Sequence, residues 1–333
     1  MLYDIAASDA CFVKGAAPAD IDQILAWARR RLSLNSRRPW RLISARRRFG
    51  KKFFEVEEET PAGKRRLIGK FGKTERTQTL YETLQLLRNN GFRPPSMFVV
   101  PEPIAHFAEK GFLLQEKASG VQASDLMWKI TSGPSLVASW AASRSAMWLA
   151  ALHRCGVRAP SAASSRDTLS EWTKGLAVAV PAETRRINAI AEAIGRGLAQ
   201  PAAPTVPCHG DFHPMNIFIA GGEITAIDLD KFCECEPESD IGYFLSQTAA
   251  FDFFENASFD FSAGARRAFV ETYESHAGRR ISRNRAAMYM AMAFLKNLHF
   301  DLVLLDSGRI ERVNAWLSAA EAAIVDQDLD LES

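Results

Sequence analysis

Apolar and polar positions change their period near Gly120. Ahead of it the chain reads as short, alternating runs. Arg41 to Phe49, Lys52 to Glu57 and Arg65 to Phe71 predict three strands. Gly50 and the cluster Thr60-Pro61-Ala62-Gly63 separate them, as in an antiparallel meander. Pro18-Ala19-Asp20 marks a helix start, with Ile21, Ile24, Leu25 and Ala28 following at helical spacing. A second helix is predicted from about Glu75 to Asn89, with Leu80, Leu84 and Leu87 as its buried stripe and Gly91 as its stop signal. Further strands are expected at Met97 to Val100 and Gly111 to Glu116.

Beyond Gly120 long helical stretches dominate: Ser135 to His153, Pro181 to Leu198, Ala263 to Ser275, Asn284 to Leu305 and Ile310 to Val325. They are interrupted at Pro207 to Asp230, where Ile217-Phe218-Ile219 and Ile224-Thr225-Ala226-Ile227 flank Gly221-Gly222 and read as a hairpin. Ser161 to Ser165 reads as a loop. The implied fold class is α+β: a small antiparallel β-rich lobe with one inserted helix, a larger mainly α-helical lobe, and a cleft between them.

Composition leaves this picture intact. The 333 residues are 47% hydrophobic and 24% charged, with a formal net charge of +2, so global charge points to neither nucleic acid nor a membrane surface. Locally, Arg29 to Lys52 contains no acidic residue, which reads as a solvated helix end followed by an edge strand with outward Arg and Lys, or as a phosphate-attracting face. Five cysteines without framework spacing argue against a disulfide-built secreted protein. No signal peptide is visible, and no apolar run reaches the roughly 18 residues of a membrane span. The expectation is a cytoplasmic protein, monomer or homodimer, with no nucleic-acid or membrane partner.

Candidate chemistry concentrates in His209-Gly210-Asp211-Phe212-His213-Pro214-Met215-Asn216 and the later pair Ile227-Asp228. A carboxylate at Asp211 suits an acceptor hydroxyl, since it accepts the O–H and aims the oxygen. The amide oxygen of Asn216 and the carboxylate of Asp228 suit Mg²⁺, which prefers hard oxygen ligands. The intervening hairpin would return the chain and bring both ligands near one point. Asp-x4-Asn alone is a weak signal; the full string followed by Asp228 is far more specific.

These residues resemble the catalytic loop of the aminoglycoside phosphotransferase and choline kinase-like family of small-molecule kinases, whose pattern is His-Gly-Asp-x4-Asn followed by Ile-Asp. The resemblance implies a bilobal protein-kinase-like fold, with residues 1–117 as a nucleotide-binding lobe ending in the hinge strand and residues 118–333 as a helical lobe with the catalytic loop and acceptor site. It implies ATP and Mg²⁺ as cofactors, a small-molecule hydroxyl acceptor as partner, Asp211 as catalytic base or orienter, and Asn216 and Asp228 as metal ligands. Leu67-Ile68-Gly69-Lys70-Phe71 resembles the strand that presents the phosphate-binding lysine, Lys70, and Glu82 the helical carboxylate that pairs with it. Gln115, Glu116 and Lys117 match the hinge strand whose backbone meets the adenine edge. The similarity spans roughly residues 40 to 300 and is specific only around 207–230. The first hairpin, Ala45 to Gly50, lacks the run of glycines that covers phosphates in protein kinases.

Other residues are read more plainly. Asp240 is expected to cap the helix starting there and to brace the catalytic loop. Cys208, Cys233 and Cys235 lie near His209 and His213, but the single residue between Cys233 and Cys235 does not suit zinc. Phe244, Phe251, Phe253, Phe254, Phe259 and Phe261 are expected to pack the core rather than line an acceptor pocket. Glu234, Glu236, Asp252 and Glu255 are the acids available to a cationic acceptor, although each reads more readily as solvent-facing. Two other functions fit the same motifs less well: a nucleotide-binding regulatory module that has lost catalysis, and a protein kinase, for which no activation segment is recognisable.

Overall fold

In the computed structural model, residues 23, 25–28, 30, 40–48, 51–61, 63–129, 136–160, 165–199, 204–326 and 329 are described. The start of the first predicted helix, Gly50, most of residues 29–39 and the predicted loop at 161–164 lie outside them. The chain forms two compact units, the first comprising residues 1–119 and 225–230, the second residues 120–224 and 231–333.

The first unit holds a five-stranded antiparallel sheet. Its strands are β1 (Trp40–Arg48), β2 (Lys51–Thr60), β3 (Gly63–Phe71), β5 (Pro103–Phe107) and β6 (Phe112–Glu116), in the order β1-β2-β3-β6-β5, with β4 (Phe98–Val99) outside it. The meander is the predicted one, but β2 runs three residues further, to Thr60. The run Glu57-Glu58-Glu59 looks too charged for a strand. It holds because Lys64 and Arg65 stand across from it: Lys64 Nζ lies 2.9 Å from Glu57 and Arg65 Nη2 2.9 Å from Glu58. Opposite charges across a ladder support pairing that propensity alone would not. β5 was not anticipated, because it opens on Pro103; proline is tolerated at the first position of an edge strand.

One face of this sheet carries the unit's core. Phe54, Val56, Leu67, Phe107, Phe112 and Leu114 pack with helical Leu25 and Ala28, and Trp27 sits 4.7 Å from the Phe107 ring. Gly69 is required here: a Cβ at that position would lie 2.2 Å from the Phe54 ring. Helix α1 (Thr74–Asn89) follows β3 and buries Thr77, Leu80, Thr83, Leu84 and Leu87.

The second unit is mainly helical: α2 (Leu136–Arg154), α3 (Ser165–Ala179), α4 (Thr184–Leu198), α5 (Pro237–Asn256), α6 (Ala263–Ala277), α7 (Arg283–His299) and α8 (Val313–Asp326). Here α2 packs on α6, and α7 packs on α4, α5 and α8. Helix α3 was not anticipated, and α7 ends at His299 rather than Leu305, passing into a π turn at Phe300–Leu304. Close approach of α5 to α7 depends on Gly242, where a Cβ would meet the Ala286 carbonyl at 2.6 Å. Short strands punctuate the helices: β7 (Val121–Gln122), β8 (Val206–Cys208), β9 (Ile217–Ala220) and β11 (Cys233–Cys235), with β7 antiparallel to β9 and β8 to β11. β9 turns at Gly221-Gly222 into β10 (Glu223–Ala226), along which the chain passes from the second unit to the first.

Of the aromatic stretch expected in the core, only Phe244 is fully buried; Phe251, Phe253, Phe254, Phe259 and Phe261 are half-buried, the first four packing on one another or on neighbouring rings. Phe253 and Phe259 stack at 4.6 Å, and Phe259 and Phe294 both set their edges against Trp316. No helix among the described residues is long and apolar enough to cross a membrane.

A buried ion pair ties α5 to α6. Arg266 Nη1 lies 2.8 Å from Asp252 Oδ2 with both side chains fully buried, and Asp252 also accepts from Ser262 and Trp128. Burial raises the Asp252 carboxyl, against the opposing pull of Arg266, Ser262 and Trp128. Removing one partner of such a pair strands the other charge, whereas replacing both by apolar groups does not. Arg266→Met is therefore expected to lose about 3–5 kcal/mol in urea unfolding. The double variant Arg266→Met/Asp252→Leu should recover at least half of that loss; equal losses in both would overturn the stranded-charge account.

Candidate functional site

The loop between β8 and β9 carries the string from His209 to Asn216, and a single carboxylate, Asp240, braces it. Asp240, 1% exposed in the first turn of α5, accepts the His209 N–H at 2.7 Å on Oδ2 and the Gly210 N–H at 2.9 Å on Oδ1. His153 Nε2 lies 3.2 Å from the same Oδ2, and its Nδ1 meets the Tyr273 hydroxyl at 2.8 Å. Asp240 thus braces the loop as expected, but it does not cap α5: the N-cap position is Glu236, with no side-chain cap. Gly210 adopts φ 78°, and a Cβ there would lie 2.2 Å from the Lys231 carbonyl, so only glycine lets the two backbones meet.

Below the loop lies an aromatic floor. Phe212 is fully buried and stacks on Trp148 at 5.8 Å, while Phe244 and Phe269 stack at 3.9 Å beside it. His209 is buried and sets its ring edge-on to Phe212, and its Nδ1 accepts the Asp211 N–H at 3.3 Å. Gln122 of β7 donates to the Met215 carbonyl at 2.8 Å, tying the far end of the loop to the β7–β9 pair.

Asp211 and Asn216 are brought together by this scaffold. The Asn216 Nδ2 donates to the Asp211 backbone carbonyl at 3.0 Å. That partner is only an acceptor, so the contacting atom must be the amide nitrogen, and Oδ1 is not used in this contact. The Asp211 carboxylate lies between two ammonium groups that sequence reasoning missed: Lys231 Nζ at 3.0 Å and Lys296 Nζ at 3.4 Å, both on Oδ1. Burial would raise the Asp211 carboxyl, but Lys296, Lys231 and His213 together outweigh it and hold the group far below its usual range. Lys296, in α7, stands 3.9 Å over the Tyr243 ring. Burial pulls its ammonium down to about 8, with Lys231 adding to the fall and Asp211 opposing it. The signal for Lys296 was present: it is a lysine within Ala291-Met292-Ala293-Phe294-Leu295-Lys296, otherwise a run of buried residues.

The first unit holds the other candidates. Lys70 points away from the core on β3, and its Nζ lies 2.9 Å from Asp228 Oδ1. Asp228 itself adopts φ 67°, a left-handed conformation that is uncommon outside glycine and that aspartate tolerates better than most residues. Glu82 is not brought to Lys70. It lies on the exposed face of α1 and accepts from Gln78 one turn earlier. The helix period explains this: with Leu80 and Leu84 buried, residue 82 faces the opposite way.

Gln115 and Glu116 lie on β6 and Lys117 follows it, and the backbone donors of Glu116 and Lys117 are engaged. The Glu116 N–H donates to the Glu102 carbonyl at 2.8 Å and the Lys117 N–H to the Arg66 carbonyl at 2.9 Å. Lys117 Nζ reaches both oxygens of Glu55 at 2.9 Å, and Gln115 is buried. Cys208, His153 and Asp240 come together as a possible ligand trio, yet Asp240 already serves two backbone donors and His153. Burial pushes the Cys208 thiol well above its ordinary value and Cys233 to about 12, opposite to what a metal thiolate requires.

Comparison with known proteins agrees with this layout. The choline kinase LicA from Streptococcus pneumoniae superposes with a TM-score of 0.61 at 15% identity, covering 91% of this chain and 99% of its own. A choline/ethanolamine kinase family protein from Mesorhizobium loti gives 0.58 at 15% identity over 93% and 95% of the two chains. The ADP-bound aminoglycoside phosphotransferase APH(2'')-Ib gives 0.56 at 15% identity over 91% and 99%. At such identities the likeness establishes the fold, which is the bilobal protein-kinase-like fold of these kinases. No curated protein matches in sequence. The model of the phosphotransferase enzyme family (APH) matches residues 55–289, a span that includes β3 and the whole loop from His209 to Asp228, and the chain belongs to that family.

Proposed function

We propose that the chain transfers the γ-phosphoryl group of ATP to a hydroxyl of a small molecule, with residues 1–117 as the nucleotide lobe and 118–333 carrying the acceptor. The observation that carries this is the pair Asp211 and Asn216 held together on one loop, the Asn216 amide donating to the Asp211 carbonyl and the Asp211 carboxylate partly exposed beside Lys231. Nucleotide-bound solved relatives, one with ADP and an amicoumacin kinase with AMP-PNP and Ca²⁺, support ATP as donor.

The residues fit the cofactors chemically. Lys70 offers a point charge to the phosphates. Asp228, its present partner, and Asn216 offer hard oxygens to Mg²⁺, which would neutralise phosphate charge when bound. With nucleotide and metal bound, Asp228 would serve the metal and Lys70 the phosphates, in place of their present contact with each other. Glu82 has no part in this reading, and the adenine donors would lie outside the engaged N–H groups of Glu116 and Lys117.

Asp211 accepts the acceptor's O–H and points the oxygen at phosphorus. An O–P bond forms, the bond from the γ-phosphorus to the β,γ-bridging oxygen breaks, and ADP leaves with that electron pair. The hydroxyl proton passes late to Asp211, because the two lysines make the carboxylate a weak base before the oxygen has bonded to phosphorus.

Three outcomes are expected. Asp211→Asn should lower kcat by about 10²–10⁴-fold, read by ADP release in a coupled assay, with nucleotide affinity unchanged. Unaltered kcat would remove the loop from catalysis. Lys70→Ala should raise KM for ATP by about tenfold, measured by varying ATP at fixed Mg²⁺. Asp240→Asn turns an amide N–H toward backbone donors that need an acceptor, so thermal melting and kcat should fall together; a variant with native melting and kcat would refute the brace.

A further inference from the structure

The described surroundings of Asp211 are basic. One carboxylate faces Lys231 and Lys296, which leaves the trio with one net positive charge, and His213 acts on the Asp211 carboxyl in the same direction as the lysines. Both ammonium groups sit on Oδ1, and no hydrogen-bond partner of Oδ2 is found among the described residues. The carboxylate is therefore divided: one oxygen engaged by lysines, the other open to an acceptor hydroxyl. Each ammonium has three N–H groups and spends one on Asp211. The Lys231 side chain is 53% exposed, so its remaining donors face solvent. Lys296 is held over the Tyr243 ring, which fixes its position.

The acids that a cationic acceptor would need are otherwise occupied. Glu236 is clamped by Arg285. Asp252 is buried against Arg266, and Glu234 accepts the Ala159 N–H. Only Glu255 of the four stays exposed, near the end of α5 and 44 residues along the chain from Asp211. A quaternary ammonium or aminosugar beside Asp211 would meet the like charge of Lys231 and Lys296, and the Asp211 carboxylate is already engaged by both.

We propose that the acceptor is itself an anion, a hydroxyl compound bearing a carboxylate or phosphate, which Lys231 and Lys296 engage while its hydroxyl meets Asp211 Oδ2. This rests on the phosphotransferase reading of the same loop and narrows it to a substrate class. A negatively charged acceptor must approach a nucleotide phosphate, and two ammonium groups beside the nucleophile offset that repulsion.

The test uses four probes with the full chain, Mg²⁺ and a non-hydrolysable ATP analogue, so that the nucleotide site is filled. Glycerol, glycerate, glycerol 3-phosphate and choline are titrated calorimetrically at about 50 mM salt, where exposed charges are weakly screened. Glycerate or glycerol 3-phosphate should bind at least about tenfold tighter than glycerol and choline. The tighter of the two identifies the oxyanion as carboxylate or phosphate. In Lys231→Met the preference should shrink, and in Lys231→Met/Lys296→Met it should fall to within about threefold, with melting temperature confirming the fold. Lys231 is a surface residue, so the single variant remains informative if the double one is unstable.

Choline binding as tightly as the anions, a preference that survives both lysine substitutions, or no detectable binding of any anion would each overturn the proposal. Turnover with ATP is measured on the same panel. Anion preference without transfer would fault the kinase reading alone, and transfer to choline in preference to the anions would fault the acceptor class alone.

Discussion

The hydrogen bonds from the His209 and Gly210 backbone to Asp240 are the constraint on which the site depends. A buried carboxylate is costly unless its oxygens are satisfied, and two buried N–H groups are costly unless they find an acceptor. Each solves the other's problem, and His153 with Tyr273 completes the arrangement from α2 and α6. Because Asp240 sits in the first turn of α5, the loop is fixed to the helical core rather than to its own short strands. Phe212 then seals the loop from beneath by packing on Trp148. With the backbone fixed at residues 209 and 210, the direction of the Asp211 side chain follows, and the Asp211 carbonyl in turn orients Asn216.

The same unit uses three aspartates, two buried and one half-buried, in three ways, and their surroundings decide which. Asp240 receives backbone dipoles and an imidazole, and serves the fold. Asp252 meets Arg266 and is sealed from solvent, so burial raises its carboxyl. Asp211 meets two ammonium groups at its rim and keeps one oxygen outside that contact, so it stays ionised and reachable. Position in sequence says little about this difference. Partner type and residual exposure account for it.

Strand alternation and the helical stripe of α1 made the sheet, its meander and the inserted helix legible, because burial of one face imposes a period that survives in sequence. The string from His209 to Asn216 was legible for another reason: it resembles the catalytic loop of a known family, although the partners that hold it, Asp240 above all, lie some thirty residues away. What escaped reading depends on partners distant in sequence. β2 extends over three glutamates because Lys64 and Arg65 lie across from them. Lys296 stands 85 residues beyond Asp211, and only packing of α7 beside α5 brings it there. Glu82 differs: the stripe Leu80, Leu84 and Leu87 sets residue 82 on the exposed face of α1, where its contact is with Gln78.

In the proposed reaction, the charge on Asp211 also bears on how proton acceptance would be timed. Two ammonium groups on one oxygen stabilise the carboxylate and so weaken it as a base. That suits a reaction whose bond to phosphorus forms with little early demand on the hydroxyl proton. An anionic acceptor would change the balance at the right moment. By drawing N–H donors of Lys231 and Lys296 to its own oxygens, it would relieve Asp211 of part of its stabilisation and strengthen it as a proton acceptor. A neutral or cationic hydroxyl compound would leave the lysines where they stand. Selectivity would then reside in the basicity of the catalytic carboxylate as well as in binding, so that the wrong acceptor meets an aspartate still held quiet by its lysines.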